Sequence, residues 1–481
     1  MKGNNFIFYT PENQYPGMPH GEMCGDLMPF YWEGKYIFFF LYKYCIYAVE
    51  TRDFVHYGNL RLVLQNGSPD EQDWHAATGS VFYYDDTFYF YYTGFCEGNR
   101  RVEGKHEQAI LRAVSKDLTR WEKDKDFMFL PDEDRFGSLH WRDPQLIWDE
   151  KHEKIRMLVT ATEKDGAYQR GGCTAVYISQ DAQNWEFEDI IYSPAIFPTH
   201  ECQDAFQMGD RWYLTFSTYS RWWETRYRIS DNFAGPWQTP CLDDMFDGRE
   251  FYAAKTVSDG KKRYLVGWQA IRRDCKDSNP FVWGGNAIVY ELIQRKDNTL
   301  GVKMPDTIRN AFHIPHKVEV FSMRGVWSGN AEHNLHGKSD YGFGWACIAD
   351  VNKTVLFEGR VKWKEGTKAF GLMIHTSGPE LEKWCQFRIE PERGRIAMER
   401  YNQIDGDQMY IDERRLHFDK CEARVQVVLS GNIIQAYVND TALTTRCYGV
   451  TEGGLGVFVE CGETDWSSLA VMEGDENDEL V

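Results

Sequence analysis

The segment SKDLTRW at residues 115–121 is the most informative about the fold, because versions of it recur along the chain. Each copy begins with Ser or Thr, has an acid soon after and ends with an aromatic residue. The other copies are TRDFVHY at 51–57, SQDAQNW at 179–185 and a looser SDNFAGPW at 230–237. They lie about 50 to 64 residues apart, the spacing that a four-stranded β-propeller blade requires. We expect the hydroxyl and the acid to form a local turn, with the aromatic ring packed between blades.

Short runs of β-branched and aromatic residues fill the chain between these copies, and helical periodicity is hard to find. Examples are YIFFFLYKY at 36–44 and IRMLVTAT at 155–162. In VFYYDDTFYFYY at 81–92, two acids interrupt the apolar run and predict a hairpin turn at Asp85 and Asp86. The pattern is typical of an all-β protein.

The pattern changes near residue 310, where MPDTIRNAFHIPHK (304–317) carries two prolines and no strand alternation. Strand-like runs then resume without the Ser/Thr-acid-aromatic repeat, which favours a separate β-sandwich. We therefore predict a propeller domain over 1–310, a linker over 311–320, a β-sandwich over 321–472 and an acidic tail over 473–481.

The bulk properties of the 481-residue chain exclude several classes of partner. A net charge of -19 has the wrong sign for nucleic acid or an anionic membrane. No apolar run approaches the roughly 20 residues of a membrane helix, and the opening lacks a secretory pattern, so we predict a cytoplasmic protein, monomeric or homodimeric. The twelve cysteines form no CxxC pair and no metal-ligand cluster. They are interpreted as free thiols, and no metal is predicted.

Three acids stand in similar surroundings, each just ahead of a strand pair. Asp26 is the second residue of GDLMPFYW, Asp143 lies in WRDP at 141–144, and Glu201 begins ECQD. Taken singly, such an acid is a turn residue, a cap or half of a buried ion pair. In a propeller, however, the inner strands start beside one central channel, so the three carboxylates are expected to converge there. Like charges crowded in one cleft cost stability, which favours a functional site.

The chain resembles glycoside hydrolase family 32, the β-fructofuranosidases of the invertase, inulinase and levanase types. The resemblance is carried, in order along the chain, by GDLMPFYWEGKYIFFFLYK from Gly25, HAATGS at 75–80, WRDP, ECQD, DGREFYAAKTVSDGKKRYLVGWQA from Asp247 and GGLGVFVECG from Gly453. It implies a five-bladed β-propeller followed by a C-terminal β-sandwich. It also implies an enzyme without a cofactor that acts on an oligosaccharide substrate.

The same resemblance gives the acids their roles. Asp26 is the nucleophile, Asp143 the transition-state stabiliser and Glu201 the general acid/base of a retaining hydrolase, which releases a terminal β-fructofuranosyl unit from small fructose-containing oligosaccharides. Substrate contacts are predicted for Arg142, Trp74, Ser80, Cys202, Tyr252 and Trp222. For Arg142 a plain structural ion pair is the alternative, and for the tryptophans a packing role.

Some positions depart from the family pattern. Gly25 stands where an asparagine is usual before the nucleophile, and Leu27, Met28 and Pro29 replace Pro-Asn-Gly. Gln203 stands where proline usually follows Glu-Cys. Lost amides mean lost hydrogen bonds to the sugar. Other interpretations therefore stay open: an inverting arabinan- or xylan-type hydrolase on a related propeller, a fructosyltransferase, or an inactive fructan-binding protein.

Overall fold

A computed structural model describes residues 6–12, 23–96, 106–220, 223–277, 279–377, 383–402, 410–449 and 453–475. The fold is a five-bladed β-propeller followed by a C-terminal β-sandwich, which confirms the predicted architecture. Among the described residues, no helix is long and apolar enough to cross a membrane.

The five blades are antiparallel sheets that follow one another along the chain, each with its first strand innermost. Blade 1 contains β1 (Gly25–Trp32), β2 (Lys35–Tyr42), β3 (Cys45–Thr51) and β4 (Gly58–Leu64). Blade 2 contains β5 (His75–Tyr84), β6 (Thr87–Phe95), β7 (Gln108–Ser115) and β8 (Glu122–Phe129). Blade 3 contains β9 (Phe136–Asp149), β10 (Lys154–Glu163), β11 (Gly172–Ser179) and β12 (Glu186–Tyr192). Blade 4 contains β13 (Glu201–Met208), β14 (Arg211–Thr218) and β15 (Glu224–Ser230), and blade 5 contains β16 (Phe251–Ser258), β17 (Arg263–Arg272), β18 (Phe281–Gln294) and β19 (Leu300–Lys303).

Blade 4 has three strands where the repeat spacing predicts four. The chain after β15 makes only isolated bridges to it, at Gln238 and Met245. Pro236 and Pro240 lie in this segment. Because proline cannot donate to a β-ladder, a continuous fourth strand does not form here.

The repeated motif forms the turn expected of it. In blade 2 the Ser115 hydroxyl accepts the backbone N–H groups of Asp117 and Leu118 at 3.2 and 3.0 Å. The Asp117 carboxylate accepts the next two N–H groups at 2.8 Å each. The ring of Trp121 then packs edge-on against Phe39 of blade 1, which confirms its place between blades.

The turns inside the blades also follow the sequence. Asp85 and Asp86 both have positive φ, 47° and 55°, between β5 and β6. Two such residues make the turn whose twist matches that of an antiparallel hairpin. The hairpin predicted from the two acids is therefore confirmed.

The C-terminal sheet has thirteen strands, two of them long enough to join its layers: β23 and β32. It contains β20 (Phe312–His316), β21 (Ser322–Arg324), β22 (Val326–Asn330), β23 (Asn334–Val351), β24 (Val355–Trp363), β25 (Ala369–Ser377), β26 (Lys383–Glu390), β27 (Arg395–Asn402), β28 (Tyr410–Arg415), β29 (Glu422–Ser430), β30 (Ile433–Val438), β31 (Thr441–Arg446) and β32 (Gly453–Gly474). One short helix, α1 (Asp306–Asn310), and the 3₁₀ turns Arg273–Cys275 and Pro391–Arg393 complete the described elements.

The predicted domain limits remain our proposal. β20 lies within the proposed linker and pairs with β32, so this stretch is hydrogen-bonded to the sandwich. The propeller and the sandwich also share apolar contacts, since Val428, Tyr437 and Ala442 join a core that includes Trp268 of blade 5. Residues 476–481 of the proposed acidic tail lie outside the described residues.

One cysteine prediction is wrong. Cys385 and Cys447 of the sandwich are joined by a disulfide, while the other ten cysteines are free. The pair is 62 residues apart, and only the fold brings it together. Disulfides persist in oxidising compartments and are rare in the cytosol. This disulfide therefore argues against the cytoplasmic location, which stays a prediction.

Candidate active site

The innermost strands of all five blades share a β-bulge at the same level of the central channel. In blade 1 the pairing jumps from Gly25↔Leu41 to Met28↔Phe39, so β1 has one residue more than β2 over this step. The same extra residue occurs in β5, β9, β13 and β16. A bulge bends its strand and re-aims a side chain, and bulges are frequent beside active sites.

The bulges present the three predicted acids, which come from blades 1, 3 and 4. Asp26 and Asp143 each follow the last paired residue and have positive φ, 44° and 57°. Glu201 is itself that paired residue, and Cys202 after it has a φ of 51°. Glu201 therefore sits one place earlier in its bulge than the two aspartates do in theirs.

Asp26 is held by two side chains from other strands. The Thr78 hydroxyl donates to Oδ2 at 2.7 Å, and the indole N–H of Trp268 donates to Oδ1 at 3.0 Å. Burial raises the pKa of Asp26 to about 7 against the effect of these hydrogen bonds, with Asp143 and Glu201 adding to the rise. The carboxylate thus has a fixed orientation and a reduced tendency to ionise.

Asp143 is buried, at 3 % exposure, between blades 3 and 4. The backbone N–H of Cys202 donates to its Oδ2 at 2.9 Å. Gln203 of β13 donates from its side-chain amide to the Asp143 carbonyl oxygen at 3.0 Å. Burial raises the pKa of Asp143, while Arg142 and the Cys202 N–H oppose that rise. Gln203, at a departure from the family pattern, thus fixes the backbone of Asp143.

Arg142 links the acids of blades 3 and 4. One terminal nitrogen donates to Glu201 Oε1 at 2.7 Å, and Nε lies 3.8 Å from Asp143 Oδ2. The other terminal nitrogen donates to Nδ1 of His140 at 2.8 Å. Burial, then Arg142, lowers the pKa of His140 to about 4, so the imidazole is a neutral acceptor near pH 7. The hydroxyl of Tyr252 donates to the second oxygen of Glu201.

The remaining predicted substrate contacts differ in placement. The Ser80 hydroxyl donates to the Pro144 carbonyl at 2.9 Å and accepts the Leu146 N–H at 3.1 Å, so it joins blades 2 and 3. Cys202 contributes its backbone N–H, while its side chain is buried. Trp74 is half-buried against His75. Trp222 lies outside the described residues.

Sequence reasoning missed several residues that complete the site. Trp268 contacts Asp26, and its ring lies 5.4 Å from that of Tyr252 and 5.8 Å from that of Trp283. A Cβ at Gly25 would meet the Trp283 ring at 2.7 Å. The indole therefore occupies the space of the side chain that Gly25 lacks. Thr78 and Trp268 lie inside the HAATGS and GWQA segments, but nothing local to either indicates contact with Asp26.

Comparison with known proteins identifies the family. The family model described as Glycosyl hydrolases family 32 N-terminal domain matches residues 26–300, more than half of the chain. The chain belongs to glycoside hydrolase family 32. Enzymes of this family act on O-glycosyl bonds, and membership supports a glycoside hydrolase of the β-fructofuranosidase type.

The family-32 relatives are distant. The chain is 24% identical to sucrose-6-phosphate hydrolase of Escherichia coli over 249 residues, 48% of this chain and half the length of that relative. It is 21% identical to levanbiose-producing levanase of Bacillus subtilis (strain 168), over 93% of this chain and 87% of the relative. The structure of sucrose-6-phosphate hydrolase from Lactobacillus gasseri superposes with a TM-score of 0.71 at 17% identity, covering 97% of this chain and 93% of that one. At that identity the superposition establishes the fold alone.

Proposed function

We propose that this protein is a retaining glycoside hydrolase that releases a terminal β-fructofuranosyl unit from small fructose-containing oligosaccharides. The observation that carries the proposal is the meeting of Asp26, Asp143 and Glu201 at one level of the propeller channel, on the bulged inner strands. Arg142 lies between Asp143 and Glu201, and the Tyr252 hydroxyl donates to the second oxygen of Glu201.

In the first step an Asp26 oxygen attacks the anomeric carbon while the glycosidic C–O bond breaks. The leaving oxygen takes the proton carried by Glu201. In the second step water forms the new C–O bond, the bond to Asp26 breaks, and Glu201 takes the proton from that water. The donors Arg142 and Tyr252 hold the two oxygens of Glu201 in a fixed orientation for these proton transfers.

Asp143 stabilises the positive charge that develops on the sugar in the transition state of each step. The sugar ring gains positive charge in an oxocarbenium-like transition state. A fixed carboxylate stabilises that charge more than it stabilises the neutral ground state, which is the condition for a faster reaction. The Cys202 N–H and the proximity of Arg142 support the ionised form of Asp143 in a buried place.

The glycone pocket is bordered by rings as well as acids. Trp283 covers Gly25, next to the proposed nucleophile, and Trp223 packs edge-on against Trp268. Flat rings suit the C–H faces of a sugar, whereas an asparagine amide at position 25 would offer hydrogen bonds. The relatives are named for different activities, on sucrose 6-phosphate and on levan, so the substrate range needs a direct test.

The test is a panel of sucrose, sucrose 6-phosphate, 1-kestose, inulin, levan, difructose anhydrides and arabino-oligosaccharides, followed by NMR during early turnover. We expect free fructose released first as the β-furanose, because retention preserves the anomeric configuration. Inverted product or pentose release would favour the inverting alternative, and fructosylated sugars in place of free fructose would favour a transferase. Binding without turnover of any substrate would contradict the proposal and favour the fructan-binding alternative.

A further inference from the structure

Lys255 is a buried cation near the acid cluster, and the mechanism above does not use it. It belongs to the bulge region of β16 in blade 5, three residues after Tyr252, and is 1 % exposed. A lysine is almost never buried unless it is partnered. The buried ammonium group of Lys255 therefore requires partners within the protein.

The Lys255 ammonium group reaches across the propeller channel. It donates to the Gly79 carbonyl of blade 2 at 2.8 Å and to the Gln145 side-chain oxygen of blade 3 at 3.0 Å. Gly79 and Gln145 lie at the bulges of β5 and β9. One side chain thus joins three inner strands at the level that presents the acids.

Both of these direct partners are neutral oxygens, and no described carboxylate lies within 4.0 Å of the ammonium group. The charge of Lys255 is consequently not cancelled by a close ion pair. Burial lowers the pKa of Lys255, and the carboxylates of Asp143, Asp204 and Asp26, from β9, β13 and β1, oppose that fall. Lys255 in turn favours ionisation of Asp143, alongside Arg142, while Glu201 opposes it.

We propose that Lys255 is a positioning residue that acts through the catalytic carboxylates: it fixes three bulged strands around the channel and brings a second positive charge to Asp143 and Asp26. The proposal rests on the function proposed above. Arg142 donates to Glu201, so its charge is shared with that acid. Lys255 acts on Asp143 together with Arg142, and it also acts on Asp26, with which Arg142 forms no ion pair among the described residues.

The main test is the pH profile of kcat/KM for Lys255→Met, which keeps most of the length of the side chain and removes its charge. Without the cation the carboxylates hold their protons to higher pH. We therefore expect the acid limb to move up by about one pH unit, with about tenfold lower kcat/KM on that limb and recovery at higher pH. Lys262→Met is the control, because Lys262 pairs with Glu291 and Asp306 at the outer side of blade 5. It should leave the limb in place.

A rate loss of the same size at every pH, with an unmoved limb, would overturn the proposal, since that is the result of a purely structural lysine. Asp204→Asn gives an independent arm of opposite sign should the methionine variant not fold. Asp204 accepts the backbone N–H of Thr256 at 3.0 Å, and an asparagine oxygen can still accept it. Removing the negative charge of Asp204 makes the electrostatic potential at Asp143 more positive, which favours the ionised carboxylate. The acid limb of kcat/KM should therefore move to lower pH. An acid limb that stays in place or moves to higher pH in Asp204→Asn would contradict the proposal.

A second measurement separates this proposal from the proposed function. The indole of Trp268 donates a hydrogen bond to Asp26, so its fluorescence reports the ionisation of Asp26 without turnover. The contribution of Trp268 is the part of the tryptophan fluorescence that is lost in Trp268→Phe. Its pH midpoint should rise in Lys255→Met and stay unchanged in Lys262→Met. A wild-type protein that cleaves no fructoside would end the proposed function but leave this titration valid. An unchanged midpoint in Lys255→Met would end the proposal about Lys255.

Discussion

The inner strands of blades 1, 3 and 4 carry an acid at the bulge, whereas those of blades 2 and 5 carry none. The β-bulge is the same in both groups, with one extra residue in each inner strand. What differs is the side chain presented. Blades 1, 3 and 4 contribute Asp26, Asp143 and Glu201, while blades 2 and 5 contribute the donors Thr78, Tyr252 and Lys255.

This comparison shows a division of tasks within a repeated geometry. The acid-bearing strands supply the groups proposed to react. The acid-free strands orient those groups and set their charge. Substitutions at these positions each alter one side of that division.

The largest effect is expected from Asp26→Asn, which removes the proposed nucleophile while keeping its shape. We expect kcat/KM on the best fructoside to fall by at least about 10⁴-fold, because an amide does not form the covalent intermediate. Asp85→Asn, in the outer hairpin turn of blade 2, is the matched control and should retain full activity. A loss of less than about 100-fold in Asp26→Asn would remove this residue from the chemistry.

Tyr252→Phe changes a donor on an acid-free strand. The hydroxyl that holds Glu201 disappears while the ring stays packed on Trp268. Loss of one preorganised donor typically costs about 10²-fold or more, so kcat should fall by about 100-fold, with a smaller change in KM. Tyr84→Phe, whose hydroxyl bonds the Gln180 carbonyl at the protein surface, should behave like wild type. Equal rates in the two variants would refute the positioning role of Tyr252.

The free energy of unfolding should reveal the cost of keeping an acid at the bulge. Burial raises the pKa of Asp26 from 3.8 to about 7, so folding favours its protonated form. The contribution of Asp26 to stability therefore falls as pH rises from about 4 to about 7, by about 1.4 kcal/mol per unit at most. Asp26→Asn does not ionise and should be more stable than wild type by about 2–4 kcal/mol at pH 8. In urea unfolding, a wild type as stable as the variant at pH 8 would contradict this, and the two should converge near pH 4.

Gly25→Ala tests the aromatic border of the acid-bearing strand in blade 1. The added methyl group would lie 2.7 Å from the Trp283 ring, so the indole must move. Overpacking of this kind costs about 1–3 kcal/mol, and we expect a lower Tm together with a higher KM. Gly342→Ala in the sandwich meets nothing within 4 Å and is the control. A Gly25→Ala enzyme with unchanged KM would show that Trp283 does not border the substrate.

The smallest effect is expected from Thr78→Val on the acid-free strand of blade 2. The hydrogen bond from Thr78 favours the ionised form of Asp26, so its loss raises the pKa of that acid. The acid limb of kcat/KM should move up by a few tenths of a unit, and activity near pH 6 should fall by about threefold. Thr87→Val, at the turn after β5, leaves the profile in place. A downward shift in Thr78→Val would contradict the assignment.

Much of the fold was predictable because its signals are local. The Ser/Thr-acid-aromatic repeat forms its hydrogen bonds within a few residues of chain, as Ser115 and Asp117 show. The Asp85–Asp86 turn needs only its own backbone. The three-stranded fourth blade follows from two prolines whose positions are visible in the sequence, although the even repeat hides their consequence.

The candidate site was predictable in part. Asp26, Asp143, Glu201 and Arg142 were named from the sequence, and the fold places them together. Ser80 was named as a substrate contact, but its hydroxyl serves two backbone groups of blade 3. Thr78, Trp268 and Lys255 were missed because each acts on a residue from another blade. The disulfide between Cys385 and Cys447 was missed for the same reason.

The all-β architecture, the blade repeat and the three candidate acids can be obtained from the amino-acid sequence alone. The folded structure is needed to show which side chains contact those acids, that every inner strand bulges at one level, and that Glu201 sits one place before its counterparts. The difference arises from the distance over which each interaction acts. Turn formation and strand pattern depend on neighbours along the chain, whereas hydrogen-bond partners and electric fields depend on distance in space. Closing five blades into a ring sets that distance.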